Sequence, residues 1–296
     1  MQNVMTSDHS QLLRLLRAEL TAVHQQFFHI LILRSLGENQ LAARIVAVDD
    51  EDFKNAMQII DLLAHHEVPV TLEPHHCVPR AEVKAILESE HAMEMHLADV
   101  LAGLDICDPQ AKARVDRAAA PRAAYKSWLE TRVKSYSSAE QISESRQAVT
   151  DLFSHLLVLI EQSLVHAFVR WHQGDPKGAD SAWQISGAAM LYATALVRRT
   201  AQNCRMPKRI MIPALAFSAT APDAFQLDLE LVQQCGGAAR LVAEEGEDEA
   251  LSQLCLQIAE DCERIVVMKR GQEFPAKLGK SAAFSNFAKS RERVHC

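Results

Sequence analysis

Apolar residues recur at helical spacing from the start of the chain. Leu12, Leu15, Leu16, Val23, Phe27, Ile30 and Leu31 share one stripe, which predicts a first helix from an N-cap near Ser7 to a stop at Gly37. The same periodicity predicts a second helix over about Asn39 to His66, with Leu41, Ile45, Val48, Asp52, Asn55, Ile59 and Leu63 on one face. Asp52 and Asn55 are therefore expected to point toward the core. Pro69, Pro74 and Pro79 then forbid helix, so Val68 to Val78 reads as an extended connection that runs the length of the bundle and sets the next helix parallel to the second. A third helix follows over about Ala81 to Leu104, and a fourth over Pro109 to Ser135, bent or broken at Pro121.

The order then repeats. Helices are expected near Ser138 to Gln173, Ala179 to Cys204, Pro222 to Glu245 and Glu247 to Arg270, with a second connection over Arg205 to Ala221. One offset superposes Ala18-Glu19-Leu20-Thr21-Ala22-Val23-His24 on Ile160-Glu161-Gln162-Ser163-Leu164-Val165-His166, and sets the Pro-punctuated connection His65 to Arg80 against Arg205 to Pro222, with Arg80 opposite Pro222. It also aligns the amphipathic runs that begin at Ala81 and Asp223. Three landmarks in one register indicate two copies of a multi-helix unit, over 1–136 and 137–270, followed by a basic tail over 271–296. In the tail, Lys277, Lys280, Lys289, Arg291 and Arg293 stand against only two acids, and Gly271, Pro275 and Gly279 interrupt helix. It reads as a docking segment for a protein partner.

Composition fits an all-α chain. The 296 residues are 48% hydrophobic, with 10 Gly, 10 Pro and few aromatics, so two helical cores can be filled. A formal charge of −7 gives no drive toward nucleic acid or an anionic membrane. No apolar run is read as a full membrane span of roughly 20 residues, and a cytoplasmic location is the expectation. The cysteines (Cys77, Cys107, Cys204, Cys235, Cys255, Cys262 and Cys296) are odd in number and lack a CxxC pair, which argues against a disulfide framework or zinc ribbon. Cys255 and Cys262 share a helical face and read as small core residues. Phe27, Phe28, Trp171 and Trp183 read as core or interface anchors.

Two helical hairpins joined by a long crossover, with Glu19 on the first helix, Asp50 to Ala56 on the second, His65 to Pro69 at its end and Glu88 to Glu94 on the third, resemble the ferritin-like fold. The first half is most similar to the bacterioferritin branch. The resemblance implies two tandem four-helix bundles forming a pseudo-dimer, and a carboxylate centre for two iron ions. In that centre the first and third helices each give a Glu, and the second and fourth each give a Glu-x-x-His pair. Glu19 and Glu94 match the first- and third-helix ligands. The second helix offers Asp52-Phe53-Lys54-Asn55, or shifted by one Glu51-Asp52-Phe53-Lys54, and neither carries the imidazole; the first alignment keeps the apolar face. Arg117 to Glu130 holds no Glu-x-x-His. Phe53 stands where the family's haem-binding Met would be, so haem is not implied.

In the second copy Thr194, Val197 and Gly236 fall opposite Asp52, Asn55 and Glu94, and only Glu161 remains. A single buried Glu is expected to be neutral or to take donors such as His166 or Tyr192. Metal is therefore expected only in the first unit, at Glu19, Asp52 and Glu94 with nitrogen from His91, His24 or His66, a set suited to iron, manganese or zinc. A dry hydrogen-bonded network of the same residues is the competing reading. The stretch His65, His66, His75, His76 and Cys77 could capture a softer cation, or be a solvated loop. No phosphate loop, serine elbow or paired zinc motif is present.

Two functions follow. One is a ferritin-like protein with a degenerate carboxylate site for iron or another divalent metal, whose chemistry, if enzymatic, would be that of an iron-dependent oxidase or oxygenase. The other is a metal-free structural or adaptor protein that partners a catalytic ferritin-like subunit. A monomer or small oligomer is expected, because unlike fused halves lack the identical interfaces of a closed cage.

Overall fold

The computed structural model describes residues 2–65, 71–73, 75–119, 122–136, 143–144, 147–202, 205–207, 209–213, 215–216, 221–246 and 248–270. The fold class is all-α, as the periodicity predicts. The helices are α1 (Gln2–Ser35), α2 (Asn39–His65), α3 (Val83–Ala102), α4 (Pro109–Ala119), α5 (Arg122–Val133), α6 (Gln147–His172), α7 (Pro176–Gln202), α8 (Ala221–Glu244) and α9 (Glu249–Arg270). Between them lie the short strands β1 (Thr71–Leu72), β2 (His75–Cys77), β3 (Ser143–Glu144), β4 (Arg205–Met206), β5 (Ile210–Ile212) and β6 (Leu215–Ala216). His66, Pro121, Cys204 and the basic tail 271–296 lie outside the described residues.

Helix ends follow local chemistry. Gly37 takes φ +82°, which only glycine adopts without strain, and the amides of Leu36 and Glu38 return to the carbonyls of Ile32 and Leu33, closing α1. Asp108 and Asp248 cap α4 and α9 by accepting from the amides of Ala111 and Leu251. The fourth predicted helix is two helices, α4 and α5, with Pro121 in the sequence between them. The helix expected from near Ser138 begins at Gln147 as α6, because Ser143–Glu144 is extended and pairs with β4. The sequence before Gln147 is rich in serine, at 135, 137, 138, 143 and 145, which favours helix weakly.

Side-chain pairs fix the helix directions in the first unit. Gln11 bonds Asp105, Gln25 bonds Ser89 and His29 bonds Glu90, so α3 runs antiparallel to α1. α2 returns along α1 after the tight turn at Gly37 and is thus parallel to α3, the relation the proline-rich connection predicts. α5 descends along α3, with Arg122 at Glu94, Tyr125 at Glu90 and Leu129 beside Leu87. α4 packs on α2, where Arg114 donates to the Gln58 carbonyl. Asp8 accepts from the amides of Cys107 and Asp108, tying the α3–α4 connection to α1.

The chain divides into two compact units, one of Met1–Thr150 with Val197–Phe217, the other of Asp151–Leu196 with the described residues from Ala221 on. The sequence placed the boundary at 136 and kept each connection with its own copy. In the structure the two proline-rich connections pair with each other within the first unit: β1 lies antiparallel to β6 and β2 antiparallel to β5, in one continuous register from Thr71↔Ala216 to Cys77↔Ile210.

In the second unit Ser186 of α7 donates to the Ile160 carbonyl of α6, Tyr192 of α7 donates to Asp261 of α9, and α8 packs along α9. α6 is long and apolar enough to cross a membrane, which the sequence reading did not credit, and 78% of its most apolar window is buried. Phe28 and Phe153 are fully buried, Trp183 is half-buried in a T-shaped contact with Phe168, and Trp171 is 62% exposed.

Gly236 faces α9, where an added Cβ would lie 3.1 Å from the Cβ of Cys262; Gly237, next to it, would meet nothing within 4 Å. Gly236→Leu is expected to destabilise by about 1–3 kcal/mol through overpacking. Gly237→Ala should stabilise by about 0.5–1 kcal/mol through helix propensity. Urea denaturation of the two variants checks the pair; equal effects would contradict this packing.

Candidate functional site

Four helices of the first unit each turn a charged residue onto their apolar stripe. On α1 Glu19 follows Leu15 and Leu16; on α2 Asp52 precedes Ala56 and Ile59; on α3 Glu94 lies between Leu87 and Leu97; on α5 Arg122 heads the stripe continued by Tyr125 and Leu129. All four are buried, at 0%, 2%, 1% and 7% exposure. Burial on this scale demands pairing, because an unpaired ion would forfeit its hydration for nothing.

The pairing is made by Arg122. Its Nη2 donates to both carboxylate oxygens of Glu19 at 2.8 Å and to Asp52 Oδ1 at 2.8 Å, and its Nη1 donates to Glu94 Oε1 at 3.2 Å. Gln26 satisfies the other oxygen of Asp52 at 3.0 Å. A second buried layer adjoins it: His29 Nδ1 lies 2.5 Å from Glu90 Oε1, and the Tyr125 hydroxyl donates to Glu90 Oε2 at 3.2 Å.

The structure thus brings together Glu19, Asp52 and Glu94, three of the four residues proposed from sequence as ligands. The fourth, His91, sits at the surface beside Glu130 at 3.4 Å, because it follows Glu90 on α3 and lies off the buried stripe. His24 lies in a separate cluster with His75 and Cys77. Arg122 was missed, since the fourth helix was searched only for Glu-x-x-His. A signal existed: Arg122, Tyr125 and Leu129 form a core stripe, and three inward acids required a cation.

The residues do not fit the di-iron centre that the resemblance implies. The oxygens that would ligate metal are taken by guanidinium N–H groups, and among the described residues no imidazole joins these three acids. The Arg122 fork spans their convergence point, where a metal pair would lie.

Three acids against one guanidinium leave an excess of negative charge, which burial opposes. Desolvation pushes Glu19 up to about 8, Glu94 up to about 7 and Asp52 up to about 6, each partly countered by Arg122. Burial works against the Arg122 charge as well, but Asp52, Glu19 and Glu94 outweigh it and hold the guanidinium protonated more firmly than usual. Near neutral pH the set therefore retains protons shared among its acids, with Asp52 carrying charge opposite Arg122.

The second unit carries no comparable cluster among the described residues. Glu161 is buried at 1% exposure, His166 Nδ1 lies 2.8 Å from Asp228, and Tyr192 donates to Asp261 at 2.9 Å. The offset that carries Glu19 to Glu161 carries Arg122 to Arg264, which is 59% exposed and pairs with Asp261. Burial raises the thiols of Cys255 and Cys262 to about 12, which suits inert core residues. No family model, curated protein or solved structure matches the chain.

Removing the guanidinium leaves three buried acids without their counter-charge, so Arg122→Ala is expected to cost about 3–5 kcal/mol in denaturant unfolding. Arg122→Lys should recover less than half of that loss, because one ammonium cannot reproduce the fork.

The acids also set a pH dependence. Their folded values lie above their ordinary ones, so between about pH 4.5 and 8 the folded chain holds protons that the unfolded chain has released. Their contribution to stability is complete below that window and is lost as pH rises through about 8. Glu19→Gln should flatten this decline in thermal unfolding measured from pH 5 to 8; an unchanged slope would contradict it.

Proposed function

We propose that this chain is a tandem ferritin-like protein in which Arg122 has taken the place of the metal ions, and that it serves as a non-catalytic structural or adaptor subunit. The observation that carries this reading is the guanidinium bonded to Glu19, Asp52 and Glu94 at once. A bundle whose acids are neutralised by its own side chain keeps its shape without metal, and gives up the open coordination positions that oxygen chemistry requires.

Two further features support the tandem pseudo-dimer. Each copy carries a buried Glu at the same place on its first helix, Glu19 and Glu161. The two connections, set opposite each other by the sequence offset, pair antiparallel in a single register. The partner suited to such a subunit is a catalytic ferritin-like protein, with the basic tail as the docking segment.

Metal analysis and oxygen uptake test the reading. Protein expressed in iron-replete medium should carry no iron dependent on Glu19 or Glu94, and should show no Fe(II)-dependent oxygen consumption. Two iron ions per chain that disappear in Glu19→Gln and Glu94→Gln would overturn it in favour of an iron-dependent oxidase. Light scattering should give a monomer or small oligomer; a hollow particle of many subunits would contradict the fused arrangement.

A further inference from the structure

The first unit holds a second buried cluster of a different chemical character. His75 and Cys77 are alternate residues of β2, so both side chains leave the same face of the strand, and the pattern is buried, exposed, buried. The outward residue between them, His76, meets Arg209, whose Nη2 lies 3.1 Å from its Nδ1. The inward pair faces α1 at His24. The His24 and His75 rings stack with centroids 5.8 Å apart and planes within 17°. A ring nitrogen from each histidine and the Cys77 sulfur all lie within 4.8 Å of one another.

This cluster is held by rigid elements. β2 is fixed by its antiparallel ladder with β5, in the register His75↔Ile212 to Cys77↔Ile210. Immediately after it, the Val78 amide donates to Gln25 Oε1 at 3.2 Å, and Gln25 donates to Ser89 at 2.6 Å, which binds the strand end to α1 beside His24. All three candidate ligands are sequestered, at 4%, 8% and 0% exposure. A site on a helix and a paired strand keeps its geometry better than one on a loop.

From this arrangement we propose that His24, His75 and Cys77 form a binding site for one soft or borderline transition-metal ion, of the Zn2+ or Cu+ class. One thiolate and two imidazoles suit such ions and do not suit Mg2+ or Ca2+. On binding, the Cys77 thiol releases its proton to solvent and forms the sulfur–metal bond, while each imidazole gives a ring lone pair. Burial and the neighbouring Arg17 hold His24 down to about 3 and His75 lower still, so both rings are neutral at physiological pH.

Arg17 bonds His75 Nδ1 and occupies one of these lone pairs, so the metal must compete with a guanidinium for the ring. The proposal stands apart from the reading of the carboxylate cluster, with which it shares no ligand.

Titration of the reduced full-length chain with Co2+ tests it. One equivalent should produce a thiolate-to-cobalt charge-transfer band that is lost in Cys77→Ala and in His24→Gln, and kept in Cys107→Ala, which removes an exposed thiol. Circular dichroism confirms the fold of each variant, and His24→Gln serves if Cys77→Ala does not fold. Arg17→Gln should tighten Co2+ binding by at least about tenfold, because the charge-assisted competitor is gone. Zn2+ and buffered Cu+ are then added separately, and the ion that displaces Co2+ at the lower free concentration is assigned to the site. The proposal is overturned if no band appears, if the band survives Cys77→Ala, or if neither ion displaces Co2+. It is also overturned if Arg17→Gln weakens binding.

Discussion

Three carboxylates drawn from three helices cannot share a dry core unless something positive sits among them. Coulomb repulsion and lost hydration would otherwise force the acids to protonate or the helices to part. In this chain the positive group is a guanidinium, and its planar fork lets one residue bond Glu19, Asp52 and Glu94 together. The first unit therefore depends on a contact between α5 and the other three helices that no apolar residue could supply. α5 begins at Arg122, which places the arginine in the first turn of a short helix packed along α3.

The second unit fills its core differently. In the sequence offset that carries Glu19 to Glu161, Thr194 and Gly236 fall opposite Asp52 and Glu94, and the core around Gly236 is filled by Cys235, Cys262 and Ala259, all buried. Without a convergence of acids no buried arginine is required, and Arg264, which the same offset sets opposite Arg122, is at the surface. Whether a bundle keeps a charged hub or replaces it with small packed residues is decided by how many acids face inward.

Much of the fold was legible in the sequence because helical periodicity and proline punctuation are local. Gly37 as a stop, the extended connection after α2 and the parallel sense of α2 and α3 all follow from short stretches of chain. The pairing of the two connections was not legible, since the register of β1 with β6 and β2 with β5 depends on segments more than a hundred residues apart. The same limit applies to the site. Glu19, Asp52 and Glu94 were identifiable as inward acids from their stripes, whereas Arg122 became significant only once α5 was seen to face them. Likewise His91 looked equivalent to Glu94 by spacing, yet a rotation of one residue from Glu90 turns it to the surface.

We propose that Arg122 fills the place of a metal ion, and exchange of one cation for the other tests this most directly. Thermal unfolding of Arg122→Ala with and without Mn2+, an ion that prefers carboxylate oxygen, should show a marked stabilisation by the metal. The wild-type chain should be unmoved, and the stabilisation should vanish when Glu19→Gln is added to Arg122→Ala. Equal stabilisation of wild type and Arg122→Ala, or none in either, would contradict the account.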